Sequence, residues 1–198
     1  MGLAIDHLPL DVPVVLTGPP MTDTELLQFC SEHEDLDIEV NSRGEFEIMP
    51  NSGFRSGRRN SQINFQLGLW AESDGRGIVT DSSTLFRLPN GARRSPDAAW
   101  TESSRVAAFL ESEALEVFPV CPEFVIELRS PSDDLARLEE KMHEWISNGA
   151  QLAWLVDPIR KTTTVYRPQG SPQVVTDMTV HGEGPVGGFD LHLAKVYL

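Results

Sequence analysis

The chain has 198 residues, a mass of 22.0 kDa and a formal net charge of −14, with 40% hydrophobic and 23% charged residues. That length fits one domain of ordinary size with a substantial core, and no apolar run approaches the ~20 residues that a membrane-spanning helix needs. So large an excess of acids argues against loose binding to nucleic acid, which depends on basic surface releasing counterions.

Cys30 and Cys121 have no CxxC partner, and the five histidines lack HxxxH or HExxH spacing. The pattern therefore indicates neither a disulfide framework nor a zinc site. Met1 to Pro20 has no basic segment ahead of an apolar one, and Asp6 and Asp11 interrupt it. No signal peptide is expected, and the expected location is cytoplasmic.

Thr22-Asp23-Thr24-Glu25 is a capping-box pattern that predicts a short helix to about His33. Leu36 to Val40 and Glu45 to Met49 alternate around Asn41-Ser42-Arg43-Gly44, which predicts a β-hairpin with Glu45 and Glu47 on one face. From about Arg58 to Glu72, Ile63, Leu67 and Trp70 recur at helical spacing, so an amphipathic helix is expected. Ile78 to Thr80 and Leu85 to Leu88 read as strands, with Pro89-Asn90-Gly91 as a turn. Asp97 to Thr101 reads as a short strand, and Glu102 to Glu116 contains an acidic helical stretch.

Phe124 to Leu128 is apolar at consecutive positions, the mark of a strand covered on both faces, yet Glu127 lies inside it. An ionised carboxylate out of water costs several kcal/mol unless cations or donors compensate. Glu127 either reaches solvent at the strand end, pairs with Arg129, or belongs to a site. Ser130-Pro131-Ser132-Asp133-Asp134 suits the positive start of a helix running to about Asn148-Gly149. Leu152 to Val156 is a second apolar strand, so strand, helix and strand form a right-handed βαβ unit with parallel strands. Thr162 to Arg167 is expected as an edge strand, followed by a loop-rich Gly182 to Gly188 and a short C-terminal strand. The whole reads as one α/β domain over residues 1–198, a mixed sheet flanked by helices.

On the helix after Glu127, Leu135, Leu138, Met142 and Trp145 form the buried stripe and Lys141 borders it. A helical side chain leans toward the N-terminus of its helix, which carries the Lys141 ammonium toward Glu127. The alternative is a lysine snorkelling to water. A second acid, Asp97, follows Pro96. Two acids and a lysine at one sheet edge suit a divalent-metal phosphodiesterase. Mg²⁺ or Mn²⁺ takes carboxylate and carbonyl oxygen, here from Asp97, Glu127 and the carbonyl of Leu128. The metal would activate water, and Lys141 would hold or deprotonate it and offset developing charge. Glu47 or Glu45 is the candidate third acid. Arg55, Arg58 and Arg59, with Arg93 and Arg94, form either a phosphate-facing rim or solvated loops.

Ser95-Pro96-Asp97, then Phe124 to Asp133, then Lys141, then Leu155-Val156-Asp157-Pro158 with Val165-Tyr166-Arg167, resemble in order the Uma-two-type restriction endonucleases of the PD-(D/E)XK superfamily. The resemblance covers roughly residues 45–167. It implies a restriction-endonuclease-like core and Mg-dependent cleavage of DNA, with Mn²⁺ an alternative ion and a homodimer as the assembly. Asp97 would match the aspartate of the PD element, Glu127 the second acid, Lys141 a lysine moved onto the following helix, and Glu47 an N-terminal acid. Arg129 stands where the pattern has lysine. Arginine stays protonated, so Arg129 would contact phosphate and not act as a base. A catalytically idle binding module on the same fold is the alternative, and the net charge favours it.

Overall fold

The computed structural model describes residues 13–34, 36–50, 53–107, 109 and 117–198. The chain opens with β1 (Val14–Thr17), α1 (Asp23–Glu32), β2 (Leu36–Val40) and β3 (Glu45–Pro50). Thr22 caps α1, with Glu25 returning the bond to the Thr22 backbone. A long helix, α2 (Phe54–Asp74), leads to β4 (Gly77–Asp81), β5 (Phe86–Arg87), β6 (Arg93–Arg94) and β7 (Ala98–Glu102). The expected helix within 102–116 is the single turn α3 (Ser103–Val106), and residues 108 and 110–116 lie outside the described residues. Then come β8 (Phe124–Leu128), α4 (Leu135–Ser147), β9 (Leu152–Asp157), β10 (Thr162–Tyr166), β11 (Gln173–Val175), β12 (Thr179–His181), β13 (Asp190–His192) and α5 (Leu193–Tyr197).

The larger sheet has the order β11-β10-β9-β8-β7-β4. Within it β8 and β9 are parallel, joined through α4 as the βαβ pattern requires, and the other pairs are antiparallel. β10 is not the expected edge strand, because β11 pairs along it from Thr163 to Val165. The C-terminus likewise ends in a helix, α5, after the short β13.

The apolar run of β8 has the predicted cause. Phe124 and Ile126 pack with Ile63 and Leu67 of α2 on one face, while Val125 packs with Met142 and Trp145 of α4 on the other. By the two-residue period of a strand, Glu127 belongs with Val125 on the α4 face. A second sheet, β1-β3-β2-β6-β5, turns Ile38, Val40, Phe46 and Ile48 onto Leu26 and Phe29 of α1. Its opposite face, carrying Glu39 and Glu47, looks toward α4 across a cleft of about 930 Å³.

Candidate active site

Asp97 and Glu127 are brought together by register. β7 pairs with β8 through Ala98 and Ile126, and one residue further Asp97 stands opposite Glu127. Residues directly opposite in an antiparallel pair share a face and sit about 5 Å apart at Cβ. Asp97 reaches back over the strand end, where its Oδ2 accepts a hydrogen bond from the Leu128 N–H at 2.7 Å.

Lys141 projects from the second turn of α4 into the same place. Its Nζ lies 2.9 Å from Glu127 Oε1 and 2.8 Å from Glu39 Oε1, and donates to the Ser95 carbonyl at 3.1 Å. Trp145, one turn on, donates its indole N–H to Glu127 Oε1 at 2.8 Å. Lys141 is therefore an internal cation, not a snorkelling one. Glu127 is 3% exposed, and its cation is Lys141, not Arg129.

Charge balance here is uneven. Burial, followed by the charge of Glu127, pushes the Asp97 carboxyl up to about 7. Burial also raises Glu127, against the pull of Lys141. Burial works against the ammonium of Lys141, but Glu127 and Glu39 outweigh it and hold the amine firmly protonated. Glu39 is the acid that wins. Burial alone would raise it, yet Lys141 and Arg94 hold its carboxyl below the ordinary range.

Glu39 is the residue that sequence reasoning missed. Glu47 and Glu45, the expected third acids, are engaged elsewhere. Glu47 pairs with Arg94 and accepts from Asn41, and Glu45 binds Arg43 and Asn41 at the surface. Glu39 stands opposite Glu47 in the hairpin register, where it meets Lys141 and the Ser95 N–H. Two glutamates facing each other across a hairpin demand a cation between them, but the four-residue turn read from the sequence puts Phe46 opposite Glu39, so the pairing is seen only in the observed register.

Three arginines expected to meet phosphate are held by acids instead. Arg94 is 5% exposed and ion-paired with Glu39, Glu47 and Glu144. Arg129 pairs with Asp157 of β9 at 2.8 Å, the nearest acid on the adjacent strand. Arg93 is likewise held by Asp23. Arg55 does line the cleft, Arg59 lies one turn further along α2, and Arg58 falls on the neighbouring face of that helix. Arg137, exposed one turn before Lys141, also lines the cleft.

Arg94 is the pivot of this charge network. Replacing it with Met leaves three acids without their shared cation, which typically costs about 3–5 kcal/mol for a buried pair broken on one side. Urea unfolding at neutral pH should show that loss, and a change below about 1 kcal/mol would mean the carboxylates find other partners.

The arrangement leaves oxygens for a hard cation. The hydrogen bonds to Glu127 fall on Oε1 and the one to Asp97 falls on Oδ2, so Oε2 and Oδ1 remain for a ligand among the described contacts. The Leu128 carbonyl points along the same strand edge as its N–H. Extending the register sets Pro96 opposite Leu128, and proline has no N–H to offer it. Among the described residues no three His, Cys, Asp or Glu side chains gather at metal-binding spacing. Two carboxylates with a carbonyl remain compatible with Mg²⁺, which keeps several waters.

The architecture belongs to a nuclease-fold class. A crystal structure at 1.96 Å of a putative nuclease belonging to DUF820 from Anabaena variabilis ATCC 29413 superposes with a TM-score of 0.75 at 20% identity, covering 90% of this chain and 98% of that one. The family model described as Uma2, putative restriction endonuclease, matches residues 23–194, and the chain belongs to that family. No curated protein matches it. No helix among the described residues is long and apolar enough to cross a membrane.

Proposed function

We propose that the cleft is a divalent-metal phosphodiesterase site acting on DNA. Asp97 Oδ1, Glu127 Oε2 and the Leu128 carbonyl would hold Mg²⁺ or Mn²⁺. Such an ion supplies charge to offset the scissile phosphate and lowers the pKa of water. The observation that carries the reading is the convergence of Lys141, Glu127 and Asp97 on one face, with an oxygen of each acid left over. Burial raises the pKa of both acids, with the charge of Glu127 adding to the rise at Asp97 and that of Glu39 to the rise at Glu127, and a cation beside them is what relieves that.

Lys141 stays protonated beside Glu127 and Glu39, so it orients the attacking water and stabilises negative charge on phosphorus instead of taking a proton. Trp145 fixes the Glu127 carboxylate, and Glu39 fixes the lysine. Arg55, Arg59 and Arg137 take the phosphate-contacting role first expected of Arg94 and Arg129.

Plasmid and oligonucleotide cleavage with Mg²⁺ or Mn²⁺, abolished by chelation, tests the activity. Ca²⁺-supported duplex binding that weakens as salt rises, with a slope set by a few phosphate contacts, tests the substrate class. The net charge of −14 favours the other reading, an idle binding module. DNA binding without cleavage in either metal would favour that reading. Neither binding nor cleavage would remove nucleic acid from the proposal.

A further inference from the structure

Phe54 opens α2 and is 90% exposed, more than any other large apolar side chain among the described residues. It contributes nothing to the core, since the residues that α2 buries are Ile63, Leu67 and Ala71. A lone exposed phenyl ring needs no explanation by itself. Its place is what gives it one, because Phe54 lines the same cleft as Asp97, Glu127 and Lys141. The Ser56 and Ser130 hydroxyls meet at 3.2 Å and tie the start of α2 to the loop that leaves β8. That bond lies two residues from Phe54 on one side and two from Leu128 on the other. The aromatic face is thus a short reach from the acid pair, where it can serve as a platform for another planar ring.

The charges of the cleft decide what form of DNA suits it. Arg94, Arg129 and Arg93 are bound to acids. Arg55 and Arg137 are exposed, line the cleft and have no acid partner among the described residues. Asp133 and Asp134, just before α4, line it too, beside the acid pair. A duplex brings one phosphate charge per ~1.7 Å of its axis and each strand alone one per ~3.4 Å, so such a cleft opposes a duplex more than a single strand. Its volume of about 930 Å³ falls within the roughly 300–1,000 Å³ of small-molecule pockets. A nucleotide with its base turned out fits there, and a double helix does not. Where phosphate contacts are few, affinity must come from the bases, and stacking on an aromatic ring supplies it whatever the sequence.

We propose that the cleft takes DNA as an unpaired strand, with a base next to the scissile phosphate stacked on Phe54 and the backbone held by Arg55 and Arg137. The inference rests on the proposed function for placing DNA in this cleft and adds the form in which the strand enters.

Fluorescence anisotropy on the full chain with Ca²⁺ compares a short labelled single strand with its blunt duplex. The single strand should bind at least about tenfold tighter, with a shallow salt slope of about −1 to −2 for two arginine contacts. Phe54→Ala should weaken single-strand binding by about ten- to a hundredfold, the worth of one stacked base, with circular dichroism checking that the exposed substitution leaves the fold intact. Phe54→Trp should restore the affinity and Phe54→Leu, apolar but unable to stack, should not. Equal affinity for the two forms, tighter duplex binding, or single-strand affinity indifferent to Phe54→Ala overturns the proposal, and cleavage in Mg²⁺ would then stand without it. Single-strand binding through Phe54 with no cleavage in Mg²⁺ or Mn²⁺ supports this inference and sinks the phosphodiesterase reading. Binding to neither form removes DNA from the cleft and overturns both.

Discussion

Lys141→Ala should lose cleavage by about a thousandfold or more, the scale expected when a preorganised charge beside the reacting phosphate is removed. It should also lose stability, which a merely snorkelling lysine would not. Lys141 separates Glu127 from Glu39, both of them almost fully buried. Truncating the one cation shared by two such acids typically costs about 3–5 kcal/mol. The loss should fade as pH falls into the carboxylate range, because protonating either acid removes the repulsion. Glu39 is held below its ordinary range by Lys141 and Arg94, so its contribution is present above that range and disappears as pH falls through its folded value. Adding Glu39→Gln to Lys141→Met should recover most of the stability and none of the cleavage. Recovery of both would place the lysine in a purely structural role.

The parts of the site that were legible in the sequence are the local ones. Glu127 stands out because the residues around it are apolar at every position, and Lys141 can be placed because a helix fixes direction and rise within a few residues of its start. Pro96-Asp97 next to a strand is equally local. Glu39 and Arg94 were not legible, for one common reason. In Leu36-Asp37-Ile38-Glu39-Val40 the acids alternate with apolar residues, the pattern of a strand with one wet face. What turns that face inward is the second sheet closing over α4, a long-range fact. Arg93-Arg94 reads as a basic patch for the same reason, until β6 is laid beside β2 and Arg94 is enclosed by acids from β2, β3 and α4. The four-residue turn read from the sequence pairs Val40 with Glu45, whereas Asn41 pairs with Glu45 and the loop is one residue shorter, which is what sets Glu39 against Glu47. The edge position expected of β10 failed differently, since β11 is only three residues long and leaves little periodicity to see.

Asp97→Asn should separate function from stability in opposite directions. Cleavage and metal binding should both fall steeply, because the substitution removes half the anionic charge of the proposed metal site. The metal-free protein should nonetheless melt higher at pH 8 than the wild type. The Asp97 carboxyl is pushed from 3.8 up to about 7, first by burial and then by Glu127. An acid whose folded pKa lies above its unfolded value favours folding while protonated and loses that contribution as pH rises through the folded value. At pH 8 Asp97 is ionised and strained, whereas asparagine keeps an oxygen for the Leu128 N–H and brings no charge. The gain should be about 2–4 °C for each kcal/mol of repulsion relieved in a chain of this size. It should shrink steadily toward pH 4, where wild-type Asp97 is protonated. Saturating Mn²⁺ should reverse the order, raising the wild type through ligand-linked stabilisation and leaving the variant where it was. Melting curves at pH 4, 6 and 8, with and without Mn²⁺, read all of this. A variant that melts lower at every pH would show that Asp97 holds the strand end and carries no strained charge. A variant that Mn²⁺ still stabilises as strongly as the wild type would move the metal away from Asp97.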